Sequence, residues 1–265
     1  MEKNKKGLHN LRRTIRIIWV VAGLSFMVWM LYSYQSRGFP ASVLQSDQSI
    51  TVTQDRKTIR FIPVENQRTT GFVFYPGGMV DPKSYAPMAR QLAENGFAVY
   101  IVKLPLGSAP LPGQEAGVLA YTRQLMDTDK SVQQWVLGGH SRGAAIASRF
   151  AASDQDLFSA LVLIGTSHPK EAEFDLSNSD LPVMKIYATR DGLASVPEIE
   201  ETSRFLPSDT IWVKIDGGNH SQFGYFGTLP GDGRAEISRA EQQEITISAI
   251  LSILHDIEQE NRTSR

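Results

Sequence analysis

Gly139-His140-Ser141-Arg142-Gly143 places one serine midway between two glycines. A serine hydroxyl is a weak nucleophile until a base takes its proton, so acyl transfer from this residue needs a histidine and a carboxylate that holds the histidine's tautomer. Alone, the spacing recurs by chance in about one chain in ten of this length. It gains meaning from its flanks. Trp135-Val136-Leu137 is an apolar run suited to a buried strand, and Ala144 to Phe150 is a run of small helix formers. A strand that reverses into a helix so abruptly strains the central residue, and glycines on either side remove the side chains that would clash. The competing reading is a glycine-rich turn whose serine only caps the helix.

Five histidines are available as the base. His9 precedes a long apolar run, His255 falls inside the last helical segment, and His140 and His168 lie near strand ends with no obvious positioning loop. His220 follows the strand Thr210 to Ile215 through Asp216-Gly217-Gly218-Asn219, a flexible loop at a strand's carboxyl end, and is the expected base. Asp191, in Ala188-Thr189-Arg190-Asp191-Gly192, follows the strand Val183 to Ala188 and is the expected acid; its bland role is a turn aspartate before glycine. Asp216, Asp180 and Glu171 are weaker competitors. An oxyanion needs two fixed donors. One is expected from the backbone N–H of Arg142 at the helix start; the other from Gly78 or Met79, in Pro76-Gly77-Gly78-Met79 after the apolar run Gly71 to Tyr75. Gly77-Gly78 could equally be a simple turn.

These residues need a scaffold. Ile50 to Val64 alternates like an antiparallel strand pair. After Gly71 to Tyr75, Asp81 and Pro82 open a helix as N-cap and first residue, and Asn95-Gly96 stops it. A strand Phe97 to Val102, a Pro- and Gly-rich loop Leu104 to Gly113 and a helix from Gln114 to about Met126 follow. Beyond the elbow come strands at Ala160 to Ile164, Val183 to Ala188 and Thr210 to Ile215, with a short helix near Pro197 to Phe205. A final helix starts near Ser238, where Ser238 to Glu241 has the form of a capping box. Strands interleaved with helices demand parallel pairing with right-handed crossovers: an α/β fold, a three-layer α/β/α sandwich whose sites lie at the carboxyl ends of the strands.

The first forty residues are of another kind. Ile17 to Ser36 carries no charge and is long enough to cross a hydrocarbon core of about 30 Å. Lys3, Lys5, Lys6, Arg12, Arg13 and Arg16 precede it against Glu2 alone, so the positive-inside bias sets the N-terminus in the cytoplasm and the rest outside. The expected organisation is a basic cytoplasmic segment 1–16, a transmembrane signal anchor 17–36, a short tether 37–49 and a catalytic domain 50–265. A cleaved signal peptide leading to secretion is the rival, disfavoured by the length of the run and the lack of an Ala-x-Ala site. The chain has no cysteine, which excludes disulfides and thiolate chemistry. Without residues 1–37 the net charge is about −7, unsuited to nucleic acid, and no histidine or carboxylate set at ligand spacing suggests a metal. No cofactor is expected.

The elbow, the Pro-Gly-Gly loop and the chain order Ser141, Asp191, His220 together resemble the α/β-hydrolase superfamily, especially its small bacterial members, over about residues 50 to 258. The resemblance implies a serine esterase acting through an acyl-enzyme on a small-molecule or lipid-like acyl substrate. Two features depart from the usual pattern. Tyr75-Pro76-Gly77-Gly78 replaces a His-Gly opening, and only about eighteen residues separate Ile164 from Val183, leaving no room for a large helical cap. Ser221 to Arg234, with Phe223, Tyr225 and Phe226, either walls the cleft or is an ordinary long loop. Acyl transfer to an acceptor other than water, or a non-catalytic binding domain on the same fold, would use the same sequence features.

Overall fold

A computed structural model describes residues 2–263, without the side chains of residues 2–8, 10 and 11; Lys3, Lys5 and Lys6 of the basic run therefore have side chains outside the described residues. A long helix, α1 (Glu2–Ser33), leads into β1 (Ile50–Gln54) and β2 (Thr58–Pro63), which pair antiparallel as the alternation predicts. Asp55 closes their turn by accepting the N–H groups of Lys57 and Thr58 at 2.7 and 2.8 Å. The strands β3 (Thr70–Tyr75), β4 (Ala98–Val102), β5 (Gln134–His140), β6 (Ala160–Ile164), β7 (Val183–Ala188) and β8 (Ile211–Ile215) follow. Between and after them lie α2 (Ala86–Glu94), α3 (Gln114–Thr128), α4 (Arg142–Ser153), α5 (Val196–Thr202) and α6 (Arg239–Thr263).

One eight-stranded sheet results, in the order β1-β2-β4-β3-β5-β6-β7-β8. From β4 to β8 every pairing is parallel, so six strands share one carboxyl edge. Every residue of β3, β4 and β6 is buried, as a parallel sheet covered on both faces requires. Successive side chains point to opposite faces. Phe72 and Phe74 pack with α2 and α6, while Val73 and Tyr75 pack with α3 and α4. This is the expected three-layer sandwich.

Two boundaries differ from the sequence reading for physical reasons. Asp81 caps as expected, accepting the Lys83 N–H at 3.0 Å, but Pro82–Tyr85 forms a separate 3₁₀ turn before α2. Pro87 in the first turn of α2 lacks the N–H that a continuous helix would need there. The apolar helix ends at Ser33 rather than continuing to residue 36, because the chain turns onto the domain. Gly227 donates to the Ser33 carbonyl at 2.7 Å and Asp81 to the Tyr34 carbonyl at 2.9 Å. Ser36 Oγ donates to Asp81 Oδ2 at 2.7 Å. The stretch expected as a tether lies along the domain, with Val43 and Leu44 of a 3₁₀ turn against its core. Within α1, Arg12–Ser33 is long and apolar enough to cross a membrane, and its most apolar stretch is not buried against the domain. Length and composition are equally those of a signal sequence.

Candidate active site

Ser141 sits between β5 and α4 with φ 53° and ψ −117°, a conformation that costs a non-glycine residue about 1–3 kcal/mol and persists only where its surroundings enforce it. They do. A Cβ on Gly139 would lie 2.5 Å from the backbone of Gly143, and one on Gly143 would lie 2.1 Å from the Tyr75 carbonyl oxygen. Both glycines are therefore dictated by backbone contact. The Ser141 N–H donates to the Ile164 carbonyl at 2.9 Å, and Ala145 N–H donates to the Ser141 carbonyl at 3.0 Å. The Ser141 side chain makes no cap bond to α4, so capping does not explain it.

Asp191 and His220 follow adjacent parallel strands, β7 and β8, and meet. His220 Nδ1 lies 2.8 Å from Asp191 Oδ2, and both side chains are almost completely buried. Oδ1 of the same carboxylate accepts the N–H groups of Leu193 and Ala194 at 2.8 and 2.7 Å. A carboxylate so engaged accepts from Nδ1–H, which leaves Nε2 as the free basic nitrogen. The ring of His140, the residue before Ser141, has its centroid 4.4 Å from that of His220. The structure thus brings His220 and Asp191 into contact and sets the elbow beside them, without a hydrogen bond between Ser141 and His220 among the described residues. Hydrogen bonds of this kind are often long until substrate is bound.

Asp232 was missed in the sequence. Its Oδ1 accepts the His220 N–H at 3.1 Å and the Gly192 N–H at 3.3 Å, and its Oδ2 accepts from Ser221 N–H and Oγ at 2.8 and 2.6 Å. One carboxylate therefore ties the His220 loop to the Asp191 loop. Gln242 of α6 fixes the loop from behind, exchanging bonds with Asn219 N–H and carbonyl at 3.0 and 2.7 Å. A signal for Asp232 existed: an acid between Gly231 and Gly233.

The two candidates for the second oxyanion donor separate. Met79 donates its N–H to the Gly107 carbonyl at 2.8 Å, Gly77 donates to Tyr85 Oη at 3.0 Å and Val80 to the Gly77 carbonyl at 3.3 Å. Met79 is thereby committed, and Gly78 is the residue of this loop with its N–H uncommitted among the described residues. A Cβ built on Gly78 would stand 3.2 Å from Arg142 Cβ, so these two backbones face each other. The Arg142 side chain points away, donating to the Ser108 carbonyl at 3.1 Å and pairing with Glu115.

Beneath the elbow, His140 is fully buried. Burial first, and then the neighbouring His220, holds its imidazole well below the ordinary histidine range, so it is neutral. Tyr85 Oη accepts from Gly77 N–H at 3.0 Å and hydrogen-bonds His140 Nδ1 at 2.8 Å. A polar chain thus runs from the Gly77 loop to the residue before Ser141. Phe223 and Phe226 are buried against His140, with centroids 5.5 and 6.3 Å away. They pack under the site rather than walling a cleft.

The remaining alternatives lie elsewhere. Asp216 is exposed and pairs with Lys214 at 3.0 Å, and Glu171 faces Arg149 and His168. Among the described residues no group of three or more metal-ligating side chains converges. A roomy cavity of about 850 Å³ lies at the amino edge of the sheet, lined by Asp47, Arg68, Asn95 and Gly96, away from Ser141. Residues 165–182 contain only the 3₁₀ turn Ala172–Phe174, so no helical cap covers the carboxyl edge there.

A model of the alpha/beta hydrolase family matches residues 71–244. Solved structures give the same fold. Est1E from Butyrivibrio proteoclasticus superposes with a TM-score of 0.57 at 13% identity, covering 77% of this chain and 98% of its own. An alpha-beta serine hydrolase homologue from Coxiella burnetii gives 0.56 at 15% identity, over 77% and 98%. The dienelactone hydrolase-like promiscuous phosphotriesterase P91, from metagenomic libraries, gives 0.60 at 15%, over 79% and 99%. No curated protein matches the chain by sequence.

Proposed function

The chain belongs to the alpha/beta hydrolase family, and from that premise we propose that it is a serine hydrolase cleaving an ester or related acyl bond with Ser141, His220 and Asp191. The observation that carries this reading is the buried 2.8 Å contact between His220 Nδ1 and Asp191 Oδ2 beside a strained serine. In the proposed reaction Ser141 Oγ attacks the carbonyl carbon and His220 Nε2 takes its proton. Asp191 steadies the resulting imidazolium. The N–H groups of Gly78 and Arg142 receive the oxyanion, the latter at a helix start where the dipole assists. Collapse of the tetrahedral adduct expels the alcohol, which leaves with the proton from His220, and water repeats the sequence on the acyl-enzyme. A serine hydrolase homologue and an esterase phosphonylated by cyclosarin among the structural neighbours support this chemistry.

A fluorophosphonate probe tests it. Labelling of the intact protein, lost in Ser141→Ala, is expected; a folded protein that stays unlabelled overturns the assignment.

The same proposal gives α1 the role of an uncleaved anchor, with its N-terminus in the cytoplasm and the catalytic domain outside. The apolar helix without burial supports it, together with the bonds that join its end to the domain. Mass measurement of the membrane-extracted protein decides between an intact N-terminus and cleavage near residue 36.

A further inference from the structure

We propose that the catalytic edge of the sheet rests against the membrane that α1 enters, and that the acyl substrate is taken from that lipid surface. The inference rests on reading α1 as a span and Ser141 as the nucleophile. The end of α1 is bonded to the loops that follow β3 and β8, through the Ser33, Tyr34 and Arg37 contacts to Gly227, Asp81 and Tyr225 at 2.7, 2.9 and 2.8 Å. Those loops carry Gly78 and His220. A helix leaving the bilayer at the amino edge would put the site a strand length away, about 20 Å; this one leaves it at the site's own rim. Tyr32 under the Arg37 guanidinium (3.7 Å) and Tyr225 against Phe39 (5.7 Å) put two tyrosines at the exit point, where interfacial aromatics belong.

The same rim exposes apolar side chains. Met79, Leu106, Leu111 and Leu193 are 59, 66, 55 and 44% exposed, on the loops that follow β3, β4 and β7. Their loops are built to hold them there. Leu106 stands at φ 51°, the Gly107 carbonyl accepts the Met79 N–H at 2.8 Å, and Arg142 clamps the Ser108 carbonyl at 3.1 Å. Apolar side chains held outward on these loops, beside a membrane helix, match a lipid surface, which removes them from water.

The absence of cysteine makes the test direct. Single substitutions Leu106→Cys, Leu111→Cys and Leu193→Cys, labelled with nitrobenzoxadiazole, are compared in the full chain reconstituted in phosphatidylcholine vesicles, with brominated phosphatidylcholine as quencher. Val28→Cys in α1 and Lys130→Cys at the amino edge are the controls. Quenching at the three rim positions and at Val28, but not at Lys130, is expected. Quenching at Val28 without the rim overturns the inference and leaves the anchor standing, and a rim shielded from water yet unquenched means that protein, a second copy included, covers it. No quenching at Val28 removes the anchor and the inference together. Fluorophosphonate labelling of the same samples reports separately on Ser141. In parallel, Leu106→Ser/Leu111→Ser lowers turnover of a long-chain ester carried in vesicles by at least about fivefold while a water-soluble short-chain ester keeps its rate within about twofold; equal loss on both substrates counts against the proposal.

Discussion

Around Ser141 the chain is fixed by main-chain atoms in contact, with the Gly143 position closed by the carbonyls of Tyr75 and Pro76. Around His220 it is fixed by side chains, Asp191 on the ring and Asp232 on the N–H. The Ser141 half therefore tolerates no added atom, whereas the His220 half tolerates no change of hydrogen-bonding sense. The two constraints fail differently. Adding bulk at the elbow disturbs the fold, and exchanging oxygen for nitrogen at the base should disable chemistry while leaving the fold in place.

Gly143→Ala tests the first half and carries the largest expected effect. Its Cβ would fall 2.1 Å from one backbone oxygen and 2.5 Å from another, atoms that cannot swing aside as a flexible side chain can. Urea melts should show a loss of about 3 kcal/mol, the upper end for overpacking, together with loss of fluorophosphonate labelling. A variant of wild-type stability would mean that the elbow is softer than its contacts imply.

Asp191→Asn tests the second half. Asparagine keeps an oxygen for the Leu193 and Ala194 N–H groups, but its NH2 then faces His220 Nδ1 and makes that nitrogen an acceptor. Nε2 becomes protonated and cannot take the serine's proton. kcat/KM should fall by about 10³ to 10⁴, with the urea midpoint nearly unchanged. Asp232→Asn should do the same in smaller measure. It sets a donor against the Ser221 N–H, and leaving such a group unsatisfied costs about 1–3 kcal/mol, or about 5- to 150-fold if all of it is felt as misplacement of His220. If Asp232→Asn cost as much as Asp191→Asn, the two carboxylates would not have the separate roles given to them here.

What the sequence disclosed follows the same division. That Asp191 and His220 meet near Ser141 was legible because strand order carries it: β5, β7 and β8 end at one edge, and the last two are neighbours, so loops after them must meet. The order also disclosed the layers, since strands interleaved with helices leave a parallel sheet covered on both faces. Choosing Gly78 over Met79 lay beyond sequence, because the Met79 N–H is taken by a carbonyl from the loop after β4. Gln242 lay beyond it too. It falls at the start of a helix whose buried face includes Ile247, Ile250, Leu254 and Ile257, and nothing in helical periodicity marks a buried glutamine that points past the helix to a loop.

Between the two halves stands His140, and it carries the smallest predicted effect. Tyr85 and His220 are the titratable groups whose rings approach it, at centroid distances of 5.9 and 4.4 Å, and no carboxylate compensates a charge on it directly. Its folded pKa lies below the unfolded value, so as pH falls below about 6.5 the unfolded chain takes up a proton that the folded chain refuses. Stability from this residue is thus fully present above that pH and declines below it, by about 1.4 kcal/mol per pH unit until the folded form also protonates. His168 and His255 are lowered as well, so the wild-type slope alone does not isolate it. His140→Gln keeps an acceptor for the Tyr85 hydroxyl and removes the titration; urea midpoints at pH 7, 6 and 5 should then fall less steeply than in the wild type, by the equivalent of one proton. Equal slopes would mean that His140 is already charged in the fold, which would place a cation against His220 and undo the neutral link between the Gly77 loop and the elbow.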